Sequence, residues 1–116
     1  MLSKINRIKK KKDFEIIFKN SKSFKNNLFI FKIKRNDLGL NRFGFVVSHK
    51  VSKKATVRNK IRRRLADLMR KKTTDIKTGV DLVIITLPGI EKKTFSDLKE
   101  AINTLFIKSG LMSGKI

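Results

Sequence analysis

Apolar side chains recur along this chain in helical and strand rhythms by turns. Phe14, Ile17 and Phe18 stand at i, i+3 and i+4 and predict one apolar face of a short first helix, residues 12–20. Leu28 to Ile33 is continuously apolar and β-favouring apart from Lys32, and Phe43 to Ser48 repeats that character after the turn signals Asn36-Asp37 and Gly39-Leu40-Asn41. These two runs predict an antiparallel hairpin. Val57, Ile61, Leu65, Leu68 and Met69 then fall at helical spacing within 55–72, which contains no Gly or Pro and has a cap candidate in Ser52 or Thr56. After Gly79, the run V-D-L-V-I-I-T-L suits a strand covered on both faces, and Pro88-Gly89 stops it. Thr94 with Asp97 forms a capping box with Asp in place of Glu, ahead of a third helix whose buried stripe is Phe95, Leu98, Ile102, Leu105 and Phe106. Phe29, Phe95 and Phe106 are assigned to the core. The order α-β-β(-β)-α-β-α predicts an α+β fold, a single-domain α/β sandwich with one small, mostly antiparallel sheet packed with three helices.

At 116 residues and 40% apolar content the chain supports one domain spanning 1–116, with a basic arm (1–10) and a tail (109–116) expected to be flexible. Cys is absent, so neither a disulfide framework nor a thiolate metal site is available. The longest apolar run, Leu82 to Ile85, is far too short to cross a bilayer, and a cytoplasmic location is expected.

Charge changes the picture most. Thirty Lys and Arg against nine Asp and Glu give a formal charge of +21. Self-repulsion of that size opposes compaction unless an anionic partner is bound. Between Asp37 and Asp67 there is no acid, while Arg42, Lys50, Lys53, Lys54, Arg58, Lys60, Arg62, Arg63 and Arg64 all fall there. On the predicted helix 55–72, at about 100° per residue, Val57, Ile61, Leu65 and Leu68 share one stripe and the remaining faces are cationic. Like charges at i and i+4 destabilise a helix by roughly a few tenths of a kcal/mol per pair. Helix stability is thus given up for charge. Arg predominates in this helix (Arg58, Arg62, Arg63, Arg64, Arg70), and its guanidinium fork suits phosphate and base edges.

The motif R-N-K-I-R-R at 58–63, preceded by F-G-F-V-V-S-H-K at 43–50, resembles the protein subunits of bacterial ribonuclease P. The segment R-I-K-K-K-K-D-F-E-I-I-F-K at 7–19 is similar to the N-terminal segment of that family, so the resemblance covers nearly the whole chain. It implies an α/β sandwich with a left-handed βαβ crossover, a feature that pattern reading could not supply. It also implies a non-catalytic subunit of a ribozyme: the RNA removes the 5′ leader of precursor tRNA with Mg²⁺ held mainly by RNA. The implied partners are the catalytic RNA and the precursor tRNA 5′ leader, with one protein per RNA, no membrane and no protein-borne catalytic or metal site.

Carried onto this sequence, the resemblance assigns Arg58, Asn59, Lys60, Arg62 and Arg63 to the catalytic RNA. Ser48 and Lys50 at the strand end, with Phe14, Phe18 and Phe31 as stacking faces, are assigned to the leader, and Lys53 and Lys54 to either RNA. Three positions depart from the family pattern: Lys60 where many members carry Arg, His49 where Lys is common, and Thr86-Leu87 in place of a basic pair for which Lys92 and Lys93 could substitute. An independent protein nuclease is disfavoured, since one His and nine scattered acids form no paired-carboxylate or H-x-x-x-H constellation. A structural ribosomal RNA-binding protein of related fold is the alternative reading. A helix-turn-helix DNA binder is disfavoured because strands precede the basic helix.

Overall fold

The computed structural model of the chain describes residues 4–72 and 79–111. A 3-10 turn, Lys4–Asn6, leads into helix α1 (Lys11–Lys19) and strands β1 (Lys22–Lys25), β2 (Phe29–Arg35) and β3 (Arg42–Val46). Helix α2 (Ala55–Lys72), strand β4 (Val80–Thr86), a 3-10 turn (Ile90–Lys92) and helix α3 (Phe95–Lys108) follow. The domain is α+β, with three helices on one mixed sheet of order β1-β2-β4-β3.

The expected hairpin between Leu28–Ile33 and Phe43–Ser48 does not form. β4 lies between them, antiparallel to β2 and parallel to β3, so β3, α2 and β4 make a βαβ unit. Proximity in sequence suggested the hairpin, but β4 is the most apolar strand and gains most by taking an interior place, where both faces are covered. Its residues are buried except for half-buried Ile85. The return from β2 to β3 is bound to β4 as well: Asn36 N–H donates to Gly79 O at 2.8 Å, and Val80 N–H donates to Asn41 Oδ1 at 3.1 Å. The additional strand β1 pairs antiparallel with β2. Asn26 shapes that turn, its Oδ1 accepting from the Leu28 and Phe29 N–H groups while its Nδ2 donates to Ala101 O on α3.

One face of the sheet, with Phe29, Phe31, Phe43, Leu82 and Ile84, packs on α2 (Ile61, Leu65, Leu68, Met69) and α3 (Leu98, Ile102, Leu105, Phe106). The opposite face carries a smaller cluster, Ile8, Ile17 and Val83, with Phe14, Val46 and Ile85 partly buried against it. The stretch expected as a flexible arm is docked over part of its length. Ile8 is buried, its N–H donates to Phe43 O at 2.9 Å, and Arg7 bridges Phe43 in parallel, covering the outer edge of β3. Leu111, in the expected flexible tail, is likewise buried in the main core; residues 1–3 and 112–116 lie outside the described residues.

The helix termini refine two further expectations. Neither Ser52 nor Thr56 occupies the residue before α2; that place is Lys54, and Ser52, two residues earlier, accepts the Lys54 N–H on its Oγ at 3.2 Å. α3 begins as expected, with Thr94 Oγ1 accepting from Asp97 N–H and Asp97 Oδ2 accepting from Thr94 N–H, both at 3.1 Å. Phe95, expected in the core, is 40% exposed, because at the first turn of α3 it precedes the point where the helix meets the sheet. Among the described residues no helix is long and apolar enough to cross a membrane.

Candidate nucleic-acid interface

Side chains alternate across a strand, so cross-strand partners define rows on each face of the sheet. On the face shared with α1, successive rows are Lys34, Asp81 and Arg42; then Ser23, Lys32, Val83 and Gly44; then Lys25, Ile30, Ile85 and Val46. α1 is fastened over the first two rows. Arg42 holds Asp81 through both oxygens, Nε to Oδ1 at 2.8 Å and Nη2 to Oδ2 at 2.6 Å, and reaches Asp13 on α1 at 3.4 Å. Asn36 Nδ2 adds a donor to Asp81 Oδ1 at 2.8 Å. The hydrogen bonds to Asp81, and the charges of Asp81 and Asp13, raise the Arg42 pKa above its already high ordinary value, so the guanidinium stays charged. Next to Asp13, Phe14 lies on Gly44, and one turn on Ile17 is buried against Val83. The adjacent pair Asp13-Phe14 therefore docks on Arg42 and Gly44, two residues apart on β3.

The third row stays open to solvent. Ile30, Ile85 and Val46 are only half-buried although β2 and β4 are interior strands, and they form an apolar floor beside α1. Phe14 and Phe18 form the adjoining wall, their ring centroids 6.4 Å apart and tilted by 36°. Phe18 is 45% exposed. At the end of this floor, Ser48 and Lys50 are exposed, with Ser48 Oγ accepting the Lys50 N–H at 3.3 Å. Lys92 and Lys93 are exposed just beyond the same end of β4. Thr86 is not available there: it is buried, and its Oγ1 donates to Val46 O at 3.0 Å.

Phe31 does not belong to this cleft. Its ring is fully buried on the other face of the sheet, edge-on to Phe106 with centroids 5.3 Å apart, so it has no face to offer a base. The alternation of β2 decides this, since Phe31 points away from Ile30 and Lys32. Phe29 and Phe106 are core residues as expected.

α2 rises from the strand end through the connection 47–54. Arg58 Nη1 donates to Ser52 O at 3.0 Å; Arg62 Nη2 donates to Val47 O at 3.2 Å and Nη1 to Asn59 Oδ1 at 2.8 Å. These two arginines, one turn apart, lie back along the connection and give rigidity as well as charge. Asn59, Lys60 and Arg63 are exposed, as are Lys53 and Lys54 at the helix entrance. His49 is exposed beside Lys50. The cleft floor and the cationic helix thus meet at residues 46–54, the connection that Arg58 and Arg62 hold.

Sequence reasoning missed the floor residues Ile30, Val46 and Ile85 and the fastening residues Asp13, Arg42 and Asp81. A lone Asp in an apolar strand, Asp81, was the available signal for a buried ion pair; nothing in the pattern separates an open apolar row from a covered one. Among the described residues no three His, Cys, Asp or Glu side chains come together as a metal-holding group.

The Ribonuclease P family model matches residues 2–110. The ribonuclease P protein component of Thermoanaerobacter sp. (strain X514) is 36% identical over 114 residues, covering 98% of this chain and 97% of that protein. That of Clostridium acetobutylicum is 35% identical over 111 residues, covering 94% and 92%. Among solved structures, the RNase P protein of Staphylococcus aureus superposes with a TM-score of 0.86 at 25% identity, over 93% of this chain and 98% of that one. The RNase P protein of Thermotoga maritima gives 0.77 at 32% identity, over 85% and 94%.

Proposed function

Because this chain belongs to the ribonuclease P protein family, we propose that it serves as the non-catalytic protein subunit of that ribonucleoprotein. In this reading it binds the catalytic RNA and the 5′ leader of precursor tRNA in the cytoplasm, one protein per RNA, and assists endonucleolytic removal of the leader. Mg²⁺ is placed with the RNA subunit.

The observation that carries the reading is the meeting of an apolar, aromatic-walled cleft with a cationic helix at one short connection. Unpaired bases stack on exposed aromatic rings, each contributing on the order of 1–3 kcal/mol, and a flanking basic surface tracks the backbone without reading sequence. Phe18, supported by Phe14, supplies the stacking face, and Ile30, Ile85 and Val46 supply the apolar floor. Ser48 and Lys50 meet leader phosphates at its end. Asn59, Lys60 and Arg63 project from α2 toward the catalytic RNA, while Arg58 and Arg62 hold helix and strand end in register and share the phosphate charge.

The test is to add the purified chain to the catalytic RNA and follow 5′ maturation of precursor tRNA at low Mg²⁺. Stimulation is expected. Its absence, with tight binding to ribosomal RNA instead, would favour the ribosomal reading.

A further inference from the structure

We infer that a cavity at the opposite end of the sheet, distinct from the cleft and from α2, binds a backbone phosphate of RNA. The cavity, about 540 Å³, lies between the C-terminus of α1, the start of β1, the end of β2 and the turn that follows α3. Four cations converge on it, Lys19, Lys22, Lys34 and Arg35, and among the described residues none that lines it is acidic. The inference rests on the RNA-binding reading given above.

Among the described residues no acid forms an ion pair with any of these four cations. Asp81, the cross-strand partner of Lys34, is held by Arg42 and Asn36. Glu15, one turn before Lys19 on α1, forms no ion pair with it. Four like charges around one concavity repel one another, and an anion seated among them removes that cost. The arrangement suits a phosphodiester. Arg35 offers a guanidinium fork, the lysines act as adjustable point charges, and the volume has room for a phosphate with its flanking sugars. Ile33 and Val80 give the cavity an apolar base, where the ribose carbons can rest.

Position favours RNA over a free ion. The cavity opens at the end of the same helix that carries Phe14 and Phe18, so the positive track runs from the cleft wall past Lys19 to the far edge of the sheet. Two RNA sources share this chemistry, the precursor leader and the catalytic RNA.

The experiment compares Lys22→Ala/Arg35→Ala with Lys4→Ala/Lys99→Ala, a pair of exposed lysines outside the cavity that removes the same charge. Lys22→Arg/Arg35→Lys keeps the charge. For each, affinity is measured across a salt series for the catalytic RNA alone, and for leader-bearing and leaderless precursor with the holoenzyme. The cavity variant should bind at least about tenfold more weakly than the control pair in one arm, with a log K against log salt slope shallower by about 1 to 2, and the charge-keeping variant should recover most of the loss. Loss with the catalytic RNA identifies that source; loss confined to leader-bearing precursor identifies the leader. Equal behaviour of cavity and control pairs in every arm overturns the inference. Failure of the underlying RNA-binding reading is distinguishable, because the unaltered chain would then bind these RNAs weakly or without salt dependence.

Discussion

The ring of Phe14 lies so close to Gly44 that a β-carbon added to the glycine would stand 2.6 Å from Phe14 Cε1 and 2.7 Å from Cζ. Gly44 is therefore a clearance beneath an aromatic ring. Gly44→Ala is expected to push Phe14 away from the sheet and into the cleft, at a stability cost of about 1–3 kcal/mol typical of overpacking. Affinity for leader-bearing precursor should fall more than affinity for leaderless tRNA. Unchanged precursor binding would show that the Phe14 wall does not contact the leader.

Phe18 and Phe31 are expected to separate function from folding. Phe18→Ala removes a 45% exposed ring and should weaken leader-dependent binding by about 1–3 kcal/mol with little change in the unfolding midpoint. Phe31→Ala empties a fully buried site against Phe106 and should cost about 3–5 kcal/mol of stability. Urea unfolding together with precursor titration distinguishes them. Equal losses of leader-bearing and leaderless binding in Phe18→Ala would sink the cleft assignment.

Periodicity placed the first two helices to within a residue of their observed ends, and the Thr94 cap marked the start of the third, because a capped 3.6-residue stripe or an unbroken run such as 55–72 has few alternative structures. Strand pairing was not legible in the same way. Two apolar runs joined by turn residues look like a hairpin whether or not a later strand intervenes, and here β4, reached only after α2, takes the interior place between them. The cationic helix stood out because charge needs no tertiary context to be seen. The cleft did not, since Ile30 and Ile85 look like ordinary core residues until α1 is found to cover only the neighbouring rows. Assigning Phe31 to the cleft failed for a similar reason: which face of β2 meets α1 depends on the docking of Asp13 and Phe14.

Arg42 is expected to matter for stability more than for RNA contact. It satisfies both oxygens of Asp81, whose side chain is 7% exposed, and removing one partner of such a pair leaves an uncompensated charge at a cost of about 3–5 kcal/mol. Arg42→Met should therefore lower the urea midpoint sharply, whereas Arg42→Met with Asp81→Leu should recover part of the loss. A double variant no more stable than the single one would contradict this account.

Acid sensitivity should include a contribution from the start of α3. Hydrogen bonds from Thr94 hold the Asp97 carboxyl below its ordinary value of 3.8. A depressed folded-state pKa gives stability that is present above that ordinary value and is lost as pH falls through the lower, folded-state value. Asp97→Asn, which removes the titrating carboxyl, should lower stability at neutral pH and flatten the stability profile in the acid range. A profile parallel to that of the unaltered chain would rule out the capping box as its source.

Arg62 and Arg63 are neighbours on α2 with different surroundings, and salt dependence should tell them apart. Arg63 is exposed and has no hydrogen-bond partner among the described residues, whereas Arg62 donates to Val47 O and Asn59 Oδ1. If α2 lies along the catalytic RNA, each phosphate contact releases counterions, so affinity should fall steeply over roughly 50–200 mM salt. Arg63→Ala should make the log–log slope shallower by about 1 while leaving the unfolding midpoint within about 0.5 kcal/mol of its original value. Arg62→Ala should do both kinds of damage: it removes charge and also frees the strand end from the helix, so precursor binding through Ser48 and Lys50 should weaken together with catalytic RNA binding. Titrating the two variants against catalytic RNA and leader-bearing precursor across the salt series tests this coupling. Identical effects of the two substitutions on both RNAs would mean that the Val47 and Asn59 bonds of Arg62 do not link the two surfaces.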